Sequence, residues 1–348
     1  MVDWSVARRV AAIAGAGAGP KKVGVDVAAT ARRLEPEVAR YTGLDAGGEL
    51  PRAELVDRAE WADANLTTLS SLLDPVAERM SERLGRTGPM AGPLRLAAGA
   101  TVAAESGLVV GYMSQRVLGQ FELSLIQPDA PTRLLFVAPN LQRTIADLGL
   151  ERRPFVDWIV LHELTHVLQF AGVPWLREHL GGLLRRYLDT VDVQIRAGAA
   201  GGVPTLPNVS ELVERFREGG LMALIQNGEQ RRLMDQLQSA MAVIEGYSEH
   251  VMDALGETLV PGTAKLRQAM SHRRHNRTTL ERILQKLLGL DMKIRQYEQG
   301  KQFCDAVVAE GGIEVLNVVW RSAADMPTAQ ELEDPSAWIH RTALQPAA

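Results

Sequence analysis

The sequence has little of what several classes of protein require. Cys304 is the only cysteine among 348 residues, so no disulfide can form within the chain, which fits a reducing cytosol. The formal net charge of −4 gives no general basis for nucleic-acid binding. The stretch that comes nearest to a membrane span, Leu94 to Met113, is interrupted by Arg95, Glu105 and several glycines. We therefore expect a cytoplasmic protein that binds neither nucleic acid nor membranes.

The segment His162-Glu163-Leu164-Thr165-His166 has the pattern HExxH. Residues four apart on an α-helix lie on one face, so His162 and His166 can bind a single zinc ion at about 2.0–2.1 Å. Glu163 lies beside this pair, where it can take a proton from the attacking water and later pass it to a leaving group. The motif predicts a zinc hydrolase in which Glu163 is the catalytic base.

A strongly apolar helix is predicted around this motif. Pro154 suits the start of a helix, and Gly172 and Pro174 suit its end. A helix that is apolar on nearly every face is buried, and burying two histidines and a glutamate without partners would be costly. A zinc site accounts for all three polar residues together, whereas a pair of hydrogen-bonded core histidines is the alternative.

A third protein ligand is expected to come from a second helix. The extended motif HExxHxxGxxH is absent, because Gln169 and Gly172 occupy the places of its glycine and third histidine. Apolar residues recur at helical spacing over Leu233 to Leu255. Glu245 intrudes on that apolar stripe and is the predicted third ligand. Glu249 is predicted to accept a hydrogen bond from a ligand imidazole. For either glutamate, a solvated surface position is the alternative.

Three more residues of the same helix bear on the site. Gly246 costs a helix about 1 kcal/mol relative to alanine, which predicts that another backbone passes close by. His250 is the main rival ligand, but it lies roughly 140° around the helix from Glu245, so the two are not expected to bind one ion. Tyr247 and His250 are instead candidates, with the asparagines of the chain, for stabilising an oxyanion in the cleft.

Helical patterns dominate the rest of the chain, including Val23 to Thr42 and Pro51 to Leu84. Gly119 to Leu125 and Arg133 to Val137 are short and apolar, which predicts two strands of a small antiparallel sheet. The predicted fold class is mainly α with this sheet, in a single domain over residues 1–348. Its parts are a helical N-terminal part (1–92), the sheet and HExxH helix (93–180), a helical C-terminal part with the third ligand (208–325) and a tail that wraps the surface (326–348).

Several segments together resemble the bacterial zincin-like metallopeptidases, a family of mostly unassigned substrate. The resemblance runs over most of the chain, and these segments carry it: Ala59–Asn65, Arg116–Phe121, Phe136–Asn140, Trp158–His166, Gln169–Phe170, Pro174–Arg177, Ile244–Asp253, Gly289–Lys293, Gln296–Tyr297 and Gly300. The resemblance implies a mostly helical zincin fold, zinc on the HExxH helix and Glu245 as third ligand. Glu249 stands where a family-like pattern would often place aspartate. Some members are labelled as associated with the biosynthesis of a deazaflavin coenzyme.

Three functions follow as hypotheses. The first is a zinc metallopeptidase, gluzincin-like, that cleaves a peptide or a small amide with Glu163 as general base. The second is a non-catalytic zincin-fold protein with a binding or regulatory role, which an occluded cleft or a fully protein-ligated zinc would favour. The third is a processing role in coenzyme biosynthesis, which predicts activity on a small amide and none on peptides. The sequence does not specify the substrate or the oligomeric state.

Overall fold

The structure is a computed structural model. It describes residues 2–15, 19–84, 91–122, 125, 132–190, 196–197, 204–205, 228–275 and 290–343. The helices within these ranges are α1 (Trp4–Gly15), α2 (Val27–Thr42), α3 (Arg58–Leu84), α4 (Ala91–Ser114), α5 (Ala138–Leu148), α6 (Arg152–Gly172), α7 (Pro174–Thr190), α8 (Gly228–Leu259), α9 (Thr263–His275), α10 (Leu290–Leu316), α11 (Ala329–Glu333) and α12 (Pro335–Ala343). Two 3₁₀ turns, Asn317–Trp320 and Ala323–Asp325, join α10 to α11.

A small sheet lies among these helices, as predicted. Its strands are β1 (Arg52–Val56), β2 (Gly119–Glu122) and β3 (Arg133–Val137), in the order β1-β3-β2. The predicted antiparallel pairing of β2 with β3 is confirmed, with Phe121 opposite Leu134. Two further strands of two residues each, β4 (Arg196–Ala197) and β5 (Pro204–Thr205), pair antiparallel in a separate sheet. The fold is mainly helical with a small sheet, in agreement with the predicted class.

The prediction of one helix from Pro51 to Leu84 is wrong at its start. Residues Arg52–Val56 form β1, which runs parallel to β3, so the three-stranded sheet is mixed rather than antiparallel. A capping box explains where α3 begins: the Glu60 N–H donates to Asp57 Oδ1 at 2.9 Å and the Asp57 N–H donates to Glu60 Oε2 at 3.0 Å. This reciprocal pair satisfies two helix-end donors and separates the strand from the helix.

Strand β3 lies between two clusters of buried apolar side chains. Successive side chains of a strand point to opposite faces of the sheet. Leu134 and Phe136 therefore face the larger cluster around α6, whereas Leu135 and Val137 face a smaller cluster with α1, α3 and α4. Because all four side chains are almost fully buried, β3 fixes the position of the sheet beside the HExxH helix.

Small residues join α4 to α1. A side chain at Gly107 would overlap the Ala7 carbonyl, and a Cβ at Gly111 would lie 2.7 Å from Ala11 O. The apolar stretch Leu94 to Met113 therefore serves close helix packing. Among the described residues, the helices lack the combination of length and apolar character that a bilayer crossing requires.

The C-terminal segment, predicted as a tail on the surface, contributes side chains to the core. Within the predicted tail, α11 and α12 pack on the larger core, and Trp338 is fully buried. The Trp338 indole N–H donates to Asp325 O at 2.7 Å, and its ring meets Phe303 edge-on at 5.3 Å between centroids. An aromatic side chain of this size contributes substantially to a core, so this part of the prediction is corrected.

Helices α8 and α10 cross at two glycines. A Cβ on Gly246 would overlap the backbone of Gly300, and a Cβ on Gly300 would overlap the carbonyl oxygen of Ala242. The close backbone approach predicted at Gly246 is confirmed. Because Gly246 follows Glu245 directly, this crossing also sets where Glu245 lies.

We predict that Gly300→Ala destabilises the protein, because the new methyl group meets a backbone carbonyl that cannot rotate away. Overpacking of this kind costs about 1–3 kcal/mol in the free energy of unfolding, which denaturant titration measures. Gly182→Ala is the matched control, since a Cβ at Gly182 in α7 meets nothing within 4 Å. Equal stability of the two variants would contradict the close crossing.

Candidate metal centre

His162 and His166 lie one turn apart on α6, as the HExxH motif predicts. Their Nε2 atoms are 3.3 Å apart, and their rings are nearly perpendicular, at 85°. His166 is buried and His162 is half-buried. Both rings therefore direct the same nitrogen to one point beside the helix.

Glu245 approaches the two histidines from α8. Its Oε2 atom is 3.8 Å from His162 Nε2 and 3.7 Å from His166 Nε2. Ligands at about 2.0–2.1 Å from a tetrahedral ion lie roughly 3.3–3.4 Å from one another. The three atoms come close to that spacing, and the set of two imidazoles and one carboxylate suits zinc. The residues present therefore fit a catalytic zinc site with three protein ligands.

Gln169 fixes the tautomer of His166. Its Nε2 donates to Ile244 O at 2.9 Å, so its Oε1 must accept from His166 Nδ1, 2.8 Å away. His166 then carries its proton on Nδ1 and presents the Nε2 lone pair to the cluster. Gln169 is fully buried, and it binds the residue that precedes Glu245.

Ser248 and Met252 of α8 hold His162. His162 Nδ1 lies 3.0 Å from Ser248 Oγ and 3.2 Å from Met252 Sδ. Ser248 Oγ also lies 3.4 Å from the His162 carbonyl. With that hydroxyl donating to the carbonyl, its oxygen accepts from Nδ1–H, and His162 Nε2 faces His166 and Glu245. The partners of both ligand rings therefore suit metal binding.

Gln169 and Ser248, which contact Nδ1 of the two ligand rings, were not predicted from the sequence. The predicted contact of Glu249 with a ligand imidazole stays a prediction. Gln169 follows His166 by three residues on the same helix, and Ser248 follows Glu245 by three. Spacing could have identified both as neighbours, since residues three apart share a helix face. Glu249 lies on the wall of the cavity beside the cluster.

Glu163 is buried beside the two histidines. The backbone N–H of Phe121 in β2 donates to Glu163 Oε2 at 2.9 Å. Burial raises the pKa of Glu163 to about 7, opposed by the charge of His166 and by the Phe121 hydrogen bond and reinforced by the charge of Glu245. Raising the pKa toward neutrality is what a carboxyl that both accepts and returns a proton requires.

A cavity of about 360 Å³ opens beside His162 and Glu163. Helices α6, α8, α9 and α10 and the segment that leads into β2 form its walls. Its apolar lining consists of Val117, Leu118, Trp158, Ile159, Met252 and Met270. Charged residues also line it, and Asp253 among them pairs with Arg267 and, at 2.9 Å, with Lys301.

Tyr247 does not reach this cavity, so its predicted role at an oxyanion is wrong. Its side chain is fully buried, and its hydroxyl donates to Asn317 Oδ1 at 2.8 Å. Burial also raises the pKa of the Tyr247 phenol. The reason is helical geometry, because Tyr247 lies two residues after Glu245 and points to another side of α8.

His250 also lies away from the cavity lining. Its Nδ1 donates to Asp305 Oδ1 at 2.7 Å, and its Nε2 shares a hydrogen bond with the Tyr41 hydroxyl, also at 2.7 Å. The prediction that His250 and Glu245 do not share one ion agrees with this arrangement. The predicted place of His250 in the cleft is wrong, since both ring nitrogens are engaged between α2 and α10.

Comparison with known proteins shows the family to which the chain belongs. A family model described as zincin-like metallopeptidase matches residues 2–339. The chain belongs to the zincin-like metallopeptidase family. The resemblance stated from the sequence segments is thereby confirmed, and membership implies a metal, typically zinc.

One solved structure is similar over its whole length. It is reported as "a putative hydrolase with a novel fold" from Chloroflexus aurantiacus, with 30% sequence identity and a TM-score of 0.72. The match covers 99% of this chain and 100% of that chain. No protein of curated function matches. The family model shows the family, and the similar solved structure supports the fold.

We predict that Gln169→Leu weakens zinc binding about 10- to 100-fold, since changes to the partner of a ligand histidine typically have this effect. Leucine neither accepts from His166 Nδ1 nor donates to Ile244 O. Competition with a fluorescent zinc chelator measures the dissociation constant. Gln330→Leu, at an exposed position on α11, is the control. An unchanged affinity in Gln169→Leu would contradict the role of this residue.

Proposed function

We propose that this protein is a zinc-dependent hydrolase that cleaves the amide bond of a peptide or a small amide. The observation that carries the proposal is the convergence of His162, His166 and Glu245 within 4.8 Å beside the buried Glu163. The three-ligand donor set leaves a fourth position for water or substrate. The adjoining cavity, which His162 and Glu163 line, gives a substrate access to that position.

Zinc, when bound, lowers the pKa of water and polarises a carbonyl group. Glu163 supplies the proton transfers: it accepts a proton from the attacking water and donates it to the departing nitrogen. Its pKa of about 7 suits both directions of transfer near neutral pH. His162, His166 and Glu245 act as the metal ligands.

The protein also prepares the ligands before a cation binds. Gln169 and Ser248 orient the imidazoles through their Nδ1 atoms, so little reorganisation is needed on binding. The apolar lining of the cavity, with Trp158 and Met252 close to His162, excludes water and receives the apolar part of a substrate. Asp253 pairs with both Arg267 and Lys301 in the wall, and Lys301 also pairs with Asp305.

We predict that Glu163→Gln retains zinc and lowers turnover at least about 100-fold, because the amide has the same shape but cannot accept the proton. Elemental mass spectrometry gives the zinc content, and a peptide library read by mass spectrometry gives the cleavage rate. Glu178→Gln, at an exposed position on α7, is the matched control. Peptidase activity equal to wild type in Glu163→Gln would exclude this mechanism.

We predict that Glu245→Ala loses most of its zinc when purified without chelator, whereas wild type holds one ion per chain. The alanine removes one of the three donors that face a common point. Glu257→Ala is the control, since Glu257 is exposed on the same helix. Equal zinc in both variants would remove Glu245 from the ligand set. Zinc in wild type without hydrolysis of any peptide or amide would favour the binding or regulatory alternative.

A further inference from the structure

Gly119 of β2 lies directly against Glu163. A Cβ at this position would be 2.8 Å from both Cγ and Oε1 of Glu163. Gly119 is not among the glycines with positive φ, so its backbone would accept an ordinary side chain. Glycine within a strand weakens it and commonly marks the close approach of another group. Here that group is the carboxylate assigned as the base.

The strand contacts the two carboxylate oxygens differently. Phe121 donates its N–H to Oε2 at 2.9 Å, and Gly119 leaves room for Oε1. Strand β2 lies at the edge of the described three-stranded sheet, since β3 is its neighbour there. The Phe121 N–H therefore binds outside the sheet, where it holds one oxygen and leaves the other for proton transfer.

Neither partner of this contact can move aside easily. Strand β2 is held by its register with β3, in which Gly119 lies opposite Phe136, and by the Val137 N–H donating to Leu118 O at 2.9 Å. Helix α6 is held by fully buried residues on both sides of Glu163, among them Val160 and Leu164. A side chain at position 119 would therefore displace the Glu163 carboxylate rather than the backbone of either element.

We infer that Gly119 and the backbone N–H of Phe121 are positioning groups that fix the Glu163 carboxylate for proton transfer. This inference rests on the proposed function of Glu163. Gly119 acts by lacking a side chain, and Phe121 acts through its backbone. The edge strand of the sheet thus has a role in catalysis besides any contact with substrate.

The test of catalysis is Gly119→Ala. We expect the zinc content of wild type, a kcat reduced about 100-fold and a KM changed by less than about threefold, since displacement of a reacting group by about 1 Å can cost that much. Gly182→Ala, where a Cβ has free space, should keep the wild-type kcat. A wild-type kcat in Gly119→Ala would overturn the inference. A lower kcat/KM caused only by a higher KM would also overturn it.

A thermodynamic cycle tests the contact without any assay of turnover. Gly119→Ala is introduced into wild type, Glu163→Gln and Glu163→Ala, and the midpoint of thermal unfolding is measured. Glutamine keeps the size of the glutamate, so the midpoint should fall in wild type and in Glu163→Gln by a similar amount. In Glu163→Ala the space is vacated, so the midpoint should not fall.

The two experiments separate the possible failures. An equal fall of the midpoint in all three backgrounds would place the clash elsewhere and overturn the inference. The midpoint can fall as expected while zinc-loaded wild type hydrolyses no substrate. In that case the contact between Gly119 and Glu163 stands, but the proposed function and the catalytic role of the contact fail. If wild type is active and Gly119→Ala is equally active, only the positioning role fails.

Discussion

Gln169 belongs to α6, and its side-chain amide joins His166 on that helix to the backbone of α8, the two helices that carry the proposed ligands. It accepts from His166 on α6 and donates to the carbonyl of Ile244 on α8. Because Ile244 precedes Glu245 in the chain, this pair of hydrogen bonds sets the distance between the histidines and the third ligand. Since Gln169 is fully buried, neither bond can be replaced by water, and the two helices must keep this register.

The cluster on these helices is poorly balanced by protein groups alone. Glu163 and Glu245 bring two carboxyl groups to the imidazoles of His162 and His166 in a largely buried place, and burial of charge is costly unless it is compensated. A divalent cation supplies that compensation. Binding of a cation to the folded state alone also stabilises that state, so metal affinity and stability are expected to be coupled in this protein.

Local patterns predicted the parts of the site that lie within one helix. The spacing of His162 and His166 and the apolar run around them were sufficient for α6, and Glu245 stood out as a carboxylate on an apolar stripe. The wrong predictions concern residues whose contacts are with segments far away in the sequence. The partners of Tyr247 and His250 are Asn317, Asp305 and Tyr41, which no spacing along α8 reveals. Strand β1 was missed although Asp57 and Glu60 form a capping box that marks the start of α3.

Close approach of backbones links these observations. Gly246 and Gly300 allow α8 and α10 to cross without side chains between them, and Gly119 allows β2 to meet Glu163. Each glycine costs conformational entropy on folding, about 0.5–1 kcal/mol relative to alanine in regular structure. That cost is offset at these positions because a side chain would separate the elements whose spacing defines the site. The geometry of the proposed centre therefore depends on the absence of side chains at these glycines as much as on the ligands themselves.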